Sequence, residues 1–328
     1  MKAIQRIDLE IFEHEVLALV GESGCGKSVT ALTILSLLPQ NGYVAEGEIL
    51  LEGTDLLKKS SDDMRKVRSN EIAAIFQDPM TYLNPVLSIG TQLKESFLVR
   101  SDFPPNPEEV GIRNFLSTKR TANQLMSVHG KKREELAEEL SLELLKLVSL
   151  SDPERMMHQY PFELSGGMRQ RCMIAMALAR RPSLLIADEI TTALDVTVQA
   201  QILGLLKHLR DTIDASTLLI THDLSVAAET ADRIAVMYAG NIVEVASAKE
   251  LFRNPLHPYT KLLMKCIPDA RKPKARLESI QGNVPDLIVP PTGCRFHPRC
   301  PKAMDVCQTN KPILRNQGED HLVHCHLY

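Results

Sequence analysis

Residues 21–28 decide the fold of this chain and read Gly21-Glu22-Ser23-Gly24-Cys25-Gly26-Lys27-Ser28. They follow an apolar run, residues 16–20, and precede an apolar-periodic segment that ends before Pro39, so the order is strand, loop, helix. The spacing G-x-x-x-x-G-K-[ST] is typical of a phosphate-binding loop, in which backbone N–H groups surround phosphate oxygens at a helix N-terminus. A chance glycine-rich turn is the alternative, which the flanking strand and helix disfavour. The stretch therefore predicts binding of a nucleoside triphosphate.

Individual residues of this loop have distinct expected roles. Lys27 can reach the β- and γ-phosphates as a point charge, and the Ser28 hydroxyl can ligate Mg²⁺. Cys25 is either a small packing residue or a thiol whose pKa Lys27 lowers, in which case ATP should shield it from alkylation. The phosphate contacts are expected from eight residues: Gly21, Ser23, Gly24, Cys25, Gly26, Lys27, Ser28 and Val29.

Composition limits the class of protein. The 328 residues suffice for one large α/β domain with an appendage or for two domains, and 44% hydrophobic with 24% charged residues is ordinary for a folded protein. A net charge of −3 provides no general electrostatic footprint for nucleic acid. The sequence has no apolar stretch of about 18 residues, and residues 1–6 carry no secretory signal. We therefore expect a cytosolic protein with no nucleic-acid partner, one that can still dock on a membrane protein.

Periodicity along the chain predicts strands that alternate with helices, hence right-handed βαβ units and a mainly parallel sheet. The predicted strands are residues 4–12, 16–20, 47–53, 71–76, 183–187 and 217–221, with a hairpin at 232–246. The predicted helices include residues 133–150, residues 167–180 and a segment that begins near residue 197. Residues 101–132 are expected to form a surface insertion, and a proline-rich, loop-rich extension follows Leu251.

Two carboxylates end an apolar strand at Leu184-Leu185-Ile186-Ala187-Asp188-Glu189. An acid at a strand tip beside a phosphate-binding loop can hold Mg²⁺, which suits Asp188. The next acid, Glu189, can orient and deprotonate the water that attacks the γ-phosphate. An apolar run followed by Asp-Glu is also common in structural strands, so the phosphate-binding loop is what favours the catalytic interpretation.

A second motif, Leu164-Ser165-Gly166-Gly167-Met168-Arg169-Gln170-Arg171, stands just before a predicted helix. A serine N-cap with two glycines leaves backbone N–H groups able to bind an anion, although a plain capped helix has the same pattern. With this motif the sequence resembles the ATP-binding-cassette (ABC) ATPases, whose signature is L-S-G-G-x-x-Q-R. The resemblance covers nearly all of residues 1–265.

The resemblance implies a site shared between two subunits. Ser165, Gly166 and Gly167 would clasp the γ-phosphate of ATP held by the phosphate loop of a partner subunit. Asp195, in Ala193-Leu194-Asp195, would lie in the loop that crosses the dimer interface.

The resemblance also implies catalytic residues besides Glu189. Gln77, which precedes Asp78-Pro79, would sense Mg²⁺ and the attacking water, so that Ser28, Gln77 and Asp188 are the implied metal-site residues. His222 would contact the γ-phosphate as a switch histidine. Taken alone, His222 is more typical of a structural histidine at a strand end.

The implied fold is a P-loop NTPase of the α/β class, an ABC-type nucleotide-binding domain. It comprises a mainly parallel core sheet, a small antiparallel β subdomain, a helical subdomain and a cysteine-rich C-terminal extension. The expected ATP-binding domain is residues 1–252, with the helical subdomain at 78–165 including the insertion. The expected extension is residues 253–328.

Longer strings resemble the oligopeptide/dipeptide/nickel importer subfamily. They are residues 76–85, 193–201 and 236–240 and, in the tail, residues 254–260 and 293–301. Residues 26–32 resemble the first of the two ATPase subunits of that subfamily. The resemblance implies ATP hydrolysis that powers peptide import at the cytoplasmic face of the cell membrane. The implied partners are a second ATPase subunit, two permease subunits and an extracytoplasmic substrate-binding protein.

Four of the seven cysteines crowd the tail: Cys294, Cys300, Cys307 and Cys325. Four thiolates would complete a [4Fe–4S] cluster, and some members of the subfamily carry one in this tail. Zinc, with help from His297, His324 or His326, is a second interpretation, and reduced thiols without metal are a third.

The sequence departs from the family pattern near its start. It begins after the usual first strand and the aromatic residue that stacks on adenine, which leaves the adenine contact open and predicts a bare sheet edge. A Pro-Gly turn of the family is Glu13-His14 here, and the proline after the catalytic acid is Ile190. Two other functions are weighed for these reasons. One is a soluble ABC ATPase of DNA repair or translation, which predicts tandem cassettes, a coiled coil or a basic face; the other is an inactive regulatory subunit.

Overall fold

The computed structural model describes residues 3–100, 103, 112–117, 131–190, 192, 195–210, 215–266, 280–318 and 320–328. The chain forms two compact units, one made of Met1–Gly47 with Leu218–Tyr328 and the other of Glu48–Thr217. These two compact units do not test the expected boundaries of the ATP-binding domain and the C-terminal extension, so those boundaries stay a prediction. Among the described residues, no helix combines the length and apolar character needed to cross a membrane.

The first unit is built on a sheet. Its strands, numbered along the chain, are β1 (Val16–Val20), β6 (Ser216–Thr221, which begins in the second unit), β7 (Arg233–Tyr238), β8 (Asn241–Ser247), β9 (Leu314–Asn316) and β10 (Leu322–His324). The order is β6-β1-β7-β8-β10-β9. β1 and β7 are parallel, with Leu19 opposite Ala235, whereas β7, β8, β10 and β9 pair antiparallel. The predicted hairpin is therefore confirmed, and two tail strands extend it.

The first unit also contains helices. They are α1 (Lys27–Ile34), α10 (Leu224–Thr230), α11 (Ala248–Arg253), α12 (Pro258–Lys265) and α13 (Asp305–Thr309). α10 packs against β1, and α11 packs against β7 and β8. Leu17 to Val20 are fully buried, as expected of a continuous apolar strand covered on both faces.

The predicted strand at residues 4–12 is wrong. These residues, all described, form one isolated bridge, Arg6 with Asn241, and Gln5 donates to the Gly240 carbonyl at 3.0 Å. β8, the strand that Arg6 reaches, pairs with β7 along one edge and with β10 at Glu244 and Val245 on the other. The alternating apolar pattern is consequently not enough to make a strand here.

The second unit contains two pairs of strands and most of the described helices. Its strands are β2 (Leu50–Leu51), β3 (Thr54–Asp55), β4 (Ile72–Ile75) and β5 (Leu184–Asp188). Its helices are α2 (Ser61–Asn70), α3 (Pro79–Tyr82), α4 (Ile89–Leu98), α5 (Ile112–Ser117), α6 (Lys131–Leu147), α7 (Pro153–His158), α8 (Gly166–Ala179) and α9 (Val196–Arg210). β4 and β5 are parallel, and β2 and β3 are antiparallel. The predicted strand 47–53 is shorter than expected, because Glu52 and Gly53 have φ values of 49° and 77° that turn the chain back into β3.

Helix α4 lies at the centre of the helical part of this unit. It contacts α6, α7 and α8, and Phe97 on α4 packs against Phe103 and Phe115 with ring centroids 5.8 and 5.5 Å apart. Most of the predicted insertion, residues 101–132, lies outside the described residues; Phe103 and α5 are the described parts, with the start of α6. The α/β fold with parallel and antiparallel sheets and a helical part is confirmed.

Candidate nucleotide-binding segments

The glycine-rich loop of the first unit joins β1 to α1 as predicted. Gly26 is the N-cap of α1, and Lys27 begins the helix. The Lys27 side chain is buried and curls back, so that its Nζ donates to the carbonyls of Gly21 at 2.9 Å and Glu22 at 3.2 Å. The loop is therefore closed upon its own ammonium group, which lies where negative phosphate charge would be held.

Two glycines of the loop are required by its geometry. A Cβ on Gly21 would collide with the backbone carbonyl oxygen of Met237 on β7 and lie 2.9 Å from the Cys25 Sγ. Gly26 has a φ of 111°, which side chains disfavour, and a Cβ there would lie 2.9 Å from the Met237 Cε. The close approach to β7 and the left-handed turn explain why these positions need glycine.

The remaining loop residues divide between surface and core. Ser23, Gly24 and Ser28 are exposed, Val29 is half-buried, and Cys25 is buried. The Ser28 hydroxyl is an oxygen donor of the kind Mg²⁺ prefers, on the first turn of a helix, so it fits the predicted metal role. Burial raises the pKa of the Cys25 thiol, and the opposing effect of Lys27 is smaller. Lys27 therefore lowers this pKa as expected, but burial makes the net shift upward, which favours the alternative of a packing residue.

His222 follows β6 directly and is exposed. Its neighbours hold the end of the strand: the Asp223 N–H donates to the Thr221 Oγ1 at 3.0 Å, and the Asp223 carboxylate accepts from the Ser225 N–H at 2.8 Å as the N-cap of α10. The imidazole is thus presented at the surface by a rigid strand-to-helix turn. A structural role inside the core is therefore excluded for this histidine.

The second unit brings three predicted residues to one sheet edge. Ile75 at the end of β4 pairs with Ala187 near the end of β5. Because β4 and β5 are parallel, Gln77 after the first strand lies at the same edge as Asp188 and Glu189. Asp188 is buried at the strand end, whereas Gln77 is exposed. A carboxylate and an amide at one edge supply oxygen atoms suited to Mg²⁺ and water.

Glu189 has an unusual backbone conformation. Its φ is 49°, a left-handed value that non-glycine residues adopt at a cost. The Thr192 N–H donates to the Glu189 carbonyl at 3.0 Å, and the Thr192 hydroxyl lies 3.3 Å from the Glu189 Oε2. Strained residues cluster at functional sites, which favours the catalytic interpretation of this acid.

The signature segment begins α8. Ser165 is the N-cap, and its Oγ accepts from the Met168 N–H at 3.3 Å. A Cβ on Gly167 would lie 2.7 Å from the Cγ1 of Val198 on α9, so the two helices approach closely at this glycine. Ser165 is exposed and Gly166 is half-buried, and the start of the helix therefore remains accessible to an anion.

Asp195 is exposed at the start of α9. Its Oδ1 accepts from the Val198 N–H at 3.0 Å, which gives it a local capping contact. Ala193 and Leu194 of the same motif lie outside the described residues.

The tail cysteines converge without forming a metal site. Burial raises the pKa of Cys294 to about 11, with smaller contributions from the nearby Cys307, Cys325 and Cys300. The Cys294 N–H also donates to the Cys307 carbonyl at 2.9 Å. Within the described residues, however, no group of three or more His, Cys, Asp or Glu side chains could hold a metal ion. All seven cysteines, each in a described segment, are free thiols rather than disulfides.

Two residues at the phosphate loop were missed by sequence reasoning. The Glu22 N–H donates to the Tyr259 hydroxyl, and the Glu22 carboxylate pairs with Arg299. Both partners lie in tail strings that resemble the importer subfamily, but the sequence assigns them no role. Their only sequence signal is an aromatic and a basic residue that each follow a proline.

A phosphate-binding loop between β1 and α1, acids at the end of a parallel strand and a capped L-S-G-G helix together define a class, the P-loop ATPases of the cassette type. The chain belongs to the ABC transporter family, whose model matches residues 4–192. A second model, "Oligopeptide/dipeptide transporter, C-terminal region", matches residues 243–307.

Curated relatives match over nearly the whole chain. A "Probable peptide ABC transporter ATP-binding protein y4tR" of Sinorhizobium fredii is 47% identical over 99% of this chain and 89% of its own length. The "Oligopeptide transport ATP-binding protein AppD" of Bacillus subtilis is 46% identical over 99% of this chain and 91% of its own length. Among solved structures, a dimeric post-hydrolysis ATP-binding cassette, MJ0796 with ADP and Pi, is 27% identical with a TM-score of 0.58 over 75% of this chain and 90% of that one.

Proposed function

We infer that this chain is the ATP-binding and ATP-hydrolysing subunit of an ABC importer for peptides. The observation that carries this function is the presence, in one chain, of the cassette and of a C-terminal region of the oligopeptide and dipeptide transporter type. The relatives named above are described as peptide and oligopeptide transport proteins over 99% of this sequence.

We propose that the phosphate loop binds the triphosphate of ATP through its backbone N–H groups, with Lys27 on the β- and γ-phosphates. Ser28, Asp188 and Gln77 would hold Mg²⁺, which when bound neutralises charge on the phosphate oxygens. This assignment is supported by the oxygen donors these side chains supply and by the accessibility of Ser28 and Gln77.

Hydrolysis requires a general base for the attacking water and a group that forms a hydrogen bond with the γ-phosphate. We propose that Glu189 accepts a proton from the attacking water, so that the oxygen can form a bond to phosphorus as the bond to ADP breaks. His222 would donate a hydrogen bond to the γ-phosphate. The strained backbone of Glu189 and the exposed position of His222 support these roles.

A partner subunit would complete the site. We propose that Ser165, Gly166 and Gly167 face the γ-phosphate of ATP bound to a second ATPase subunit and that Asp195 lies at the interface. The exposure of Ser165 and Asp195 and the accessible helix start support this role. Two permeases and an extracytoplasmic binding protein complete the proposed importer, which places the chain at the cytoplasmic face of the membrane.

Exposed apolar side chains of the second unit supply a surface suited to a permease. They flank Gln77 and the signature segment: Met80, Tyr82, Val86, Tyr160 and Phe162. Arg169 links the two stretches, because its guanidinium donates to the Pro161 carbonyl at 3.4 Å and contributes, after Thr81 and Met80, to lowering the pKa of Asp78. Exposed apolar groups of this size are typical of protein interfaces.

The test is ATP hydrolysis by the full chain reconstituted with its permeases and binding protein. Glu189→Gln should reduce the rate at least about 100-fold, since a general base contributes about 10² to 10⁴. Glu154→Gln, which removes an exposed carboxylate of the same unit, should leave the rate unchanged.

Peptide-loaded binding protein should stimulate hydrolysis. Stimulation by DNA or ribosomes in its place would favour the soluble ATPase, and nucleotide binding without hydrolysis would favour the regulatory subunit.

For the tail cysteines, we propose the iron–sulfur cluster, supported by the three other tail thiols close enough to Cys294 to raise its pKa. Anaerobically purified protein is the test. Absorbance near 400 nm, the region of iron–sulfur charge transfer, together with bound iron would support the cluster. Zinc without iron would support the second interpretation, and the absence of both would leave reduced thiols.

A further inference from the structure

Glu22 is the residue of the phosphate loop without an assigned phosphate contact, and its side chain faces the C-terminal tail. The Glu22 Oε2 accepts from the Arg299 Nη1 at 2.7 Å, and the Glu22 Oε1 accepts from the Arg299 Nη2 at 3.0 Å. Such a two-pronged pair fixes both position and orientation, which a single ammonium contact does not.

Arg299 is itself held rigidly. Its Nε donates to the Gln281 carbonyl at 2.9 Å, and its terminal nitrogens also reach the Tyr238 hydroxyl and the Ile280 carbonyl, each at 3.3 Å. The contacts to Glu22, Gln281, Tyr238 and Ile280 together match the five N–H donors of a guanidinium. The side chain is 6% exposed, and Glu22 raises its pKa, so the charge is retained at every physiological pH.

The backbone of Glu22 is held from two further sides. Its N–H donates to the Tyr259 hydroxyl at 3.0 Å, and its carbonyl accepts from Lys27. Tyr259 is fully buried against Tyr238 and Phe296, with ring centroids 4.7 and 5.3 Å apart. The tail therefore fixes the entry of the phosphate loop through both backbone and side chain.

A second tie joins the same tail to the far side of the loop. The Gly240 N–H donates to the Cys25 carbonyl at 2.7 Å, and Arg295 donates to the carbonyl of Ala239 next to it. Residues 238–240 and the tail thus brace the loop at Glu22 and at Cys25.

The charge of Glu22 explains why this pairing matters for an anion site. An unpaired carboxylate beside a triphosphate would repel it, because both groups are negatively charged. Arg299 neutralises that carboxylate and turns it away.

We propose that Arg299 is a positioning residue for ATP binding: it acts through Glu22 to hold the phosphate loop in place and to neutralise the carboxylate at its entry. This role rests on the proposed function of the loop. The C-terminal extension is then a structural part of the nucleotide site.

The test measures the Kd for a fluorescent ATP analogue with Mg²⁺, and KM and kcat for ATP, on the full chain. Arg299→Gln should raise both Kd and KM about tenfold, a loss expected when one partner of a buried charge pair is removed, with a smaller change in kcat. The double variant Glu22→Gln/Arg299→Gln should return Kd to within about threefold of wild type, because the unpaired carboxylate is gone.

Rescue of Kd by the added Glu22→Gln substitution distinguishes positioning from general stabilisation of the fold. If Arg299→Gln acted by destabilising the fold, a second substitution would add to that defect rather than cancel it. Arg299→Lys keeps the charge without the fork and should give an intermediate Kd. It keeps the proposal testable if Arg299→Gln fails to fold. Arg315→Gln removes the same charge from exposed β9 in the same tail and should leave Kd unchanged.

A Kd for Arg299→Gln within twofold of wild type, no rescue in the double variant, or a wild-type Kd for Arg299→Lys would overturn the proposal. Lys27→Ala separates this outcome from failure of the proposed function. If Lys27→Ala retains full ATP affinity, the phosphate loop itself is misassigned. If Lys27→Ala loses affinity and the Arg299 variants do not, the positioning role alone is wrong.

Discussion

The phosphate loop and the signature segment offer phosphate the same groups, backbone N–H donors at a helix N-terminus, yet they are supported in opposite ways. The phosphate loop rests on partners more than 200 residues away, namely Met237, Tyr259 and Arg299. The signature segment is held by its own cap, from Ser165 to Met168, and by Val198.

The difference shows how two anion sites in one chain can serve different purposes. A loop braced by distant, buried groups keeps its shape before nucleotide arrives, which lowers the entropic cost of binding. The exposed start of α8 is held mainly by its own cap. We expect it to suit a phosphate that is bound to another subunit. The following predictions test this contrast, from the largest expected effect to the smallest.

Replacing Gly21 or Gly167 with alanine should reveal the largest difference in ATP affinity between the phosphate loop and the signature segment. Gly21→Ala should lower ATP affinity more than about 100-fold, because its Cβ meets a backbone carbonyl that cannot move aside cheaply. Gly167→Ala meets the end of a valine side chain, and it should leave ATP affinity of the single chain unchanged while hydrolysis in the assembled pair falls. Equal losses of affinity in the two variants, measured with a fluorescent ATP analogue, would contradict the contrast.

The stability of the folded chain should depend on pH through His257, which contacts Tyr259 beside the phosphate loop. Burial lowers the pKa of His257 to about 4, and its Nδ1 accepts from the Tyr259 N–H at 3.0 Å. The unfolded chain takes up a proton near pH 6.5, whereas the folded chain does not until about pH 4. Stability should therefore fall as pH drops from 6.5 towards 4, by about 1.4 kcal/mol per unit at most.

The measurement is the thermal unfolding midpoint across that pH range for wild type and for His257→Asn. Asparagine can also accept from the Tyr259 N–H and does not titrate, so the decline should be shallower in the variant. Parallel declines in the two proteins would assign the pH dependence to other groups.

Serine to alanine at the signature should affect hydrolysis and spare binding. Ser165→Ala removes a hydroxyl that faces solvent in this chain, so we expect about a tenfold lower ATPase rate in the assembled pair, the order of one lost hydrogen bond to a charged group. The Kd of the isolated chain for ATP should stay at the wild-type value. Loss of ATP affinity in the isolated chain would show that the signature serves its own nucleotide.

The smallest effect should appear in stability. Tyr259→Phe leaves the Glu22 N–H without its buried acceptor, and Ser165→Ala removes an exposed cap; we expect losses of about 1–3 and 0.5–2 kcal/mol. Tyr259→Phe should also raise the Kd for ATP, whereas Ser165→Ala should not. Thermal unfolding of the two variants, paired with ATP titration, is the measurement. A change in Kd confined to Ser165→Ala would reverse the comparison.

Long periodic segments were predicted well from sequence, and isolated patterns were not. Helix α6 and strands β4 to β7 lie where periodicity placed them, because each has enough apolar residues to define a buried face. The strand predicted at residues 4–12 is reduced to one bridge, at Asn241 of β8, and β10 from the distant tail pairs with the same strand at Glu244 and Val245. Lys27 lowers the pKa of Cys25 as expected, but the net shift is upward because burial outweighs the nearby ammonium.

The sequence by itself determined the glycine spacing, the Lys27 and Ser28 positions, the acids after β5 and the cap of α8, because each depends on neighbours within a few residues. Only the tertiary structure decided that β10 pairs with β8 and that Tyr259 and Arg299 reach Glu22. These contacts join residues more than 70 positions apart, and no local periodicity encodes such pairings. The phosphate loop is thus recognisable from eight residues, while the groups that hold it in place become visible only when the chain is folded.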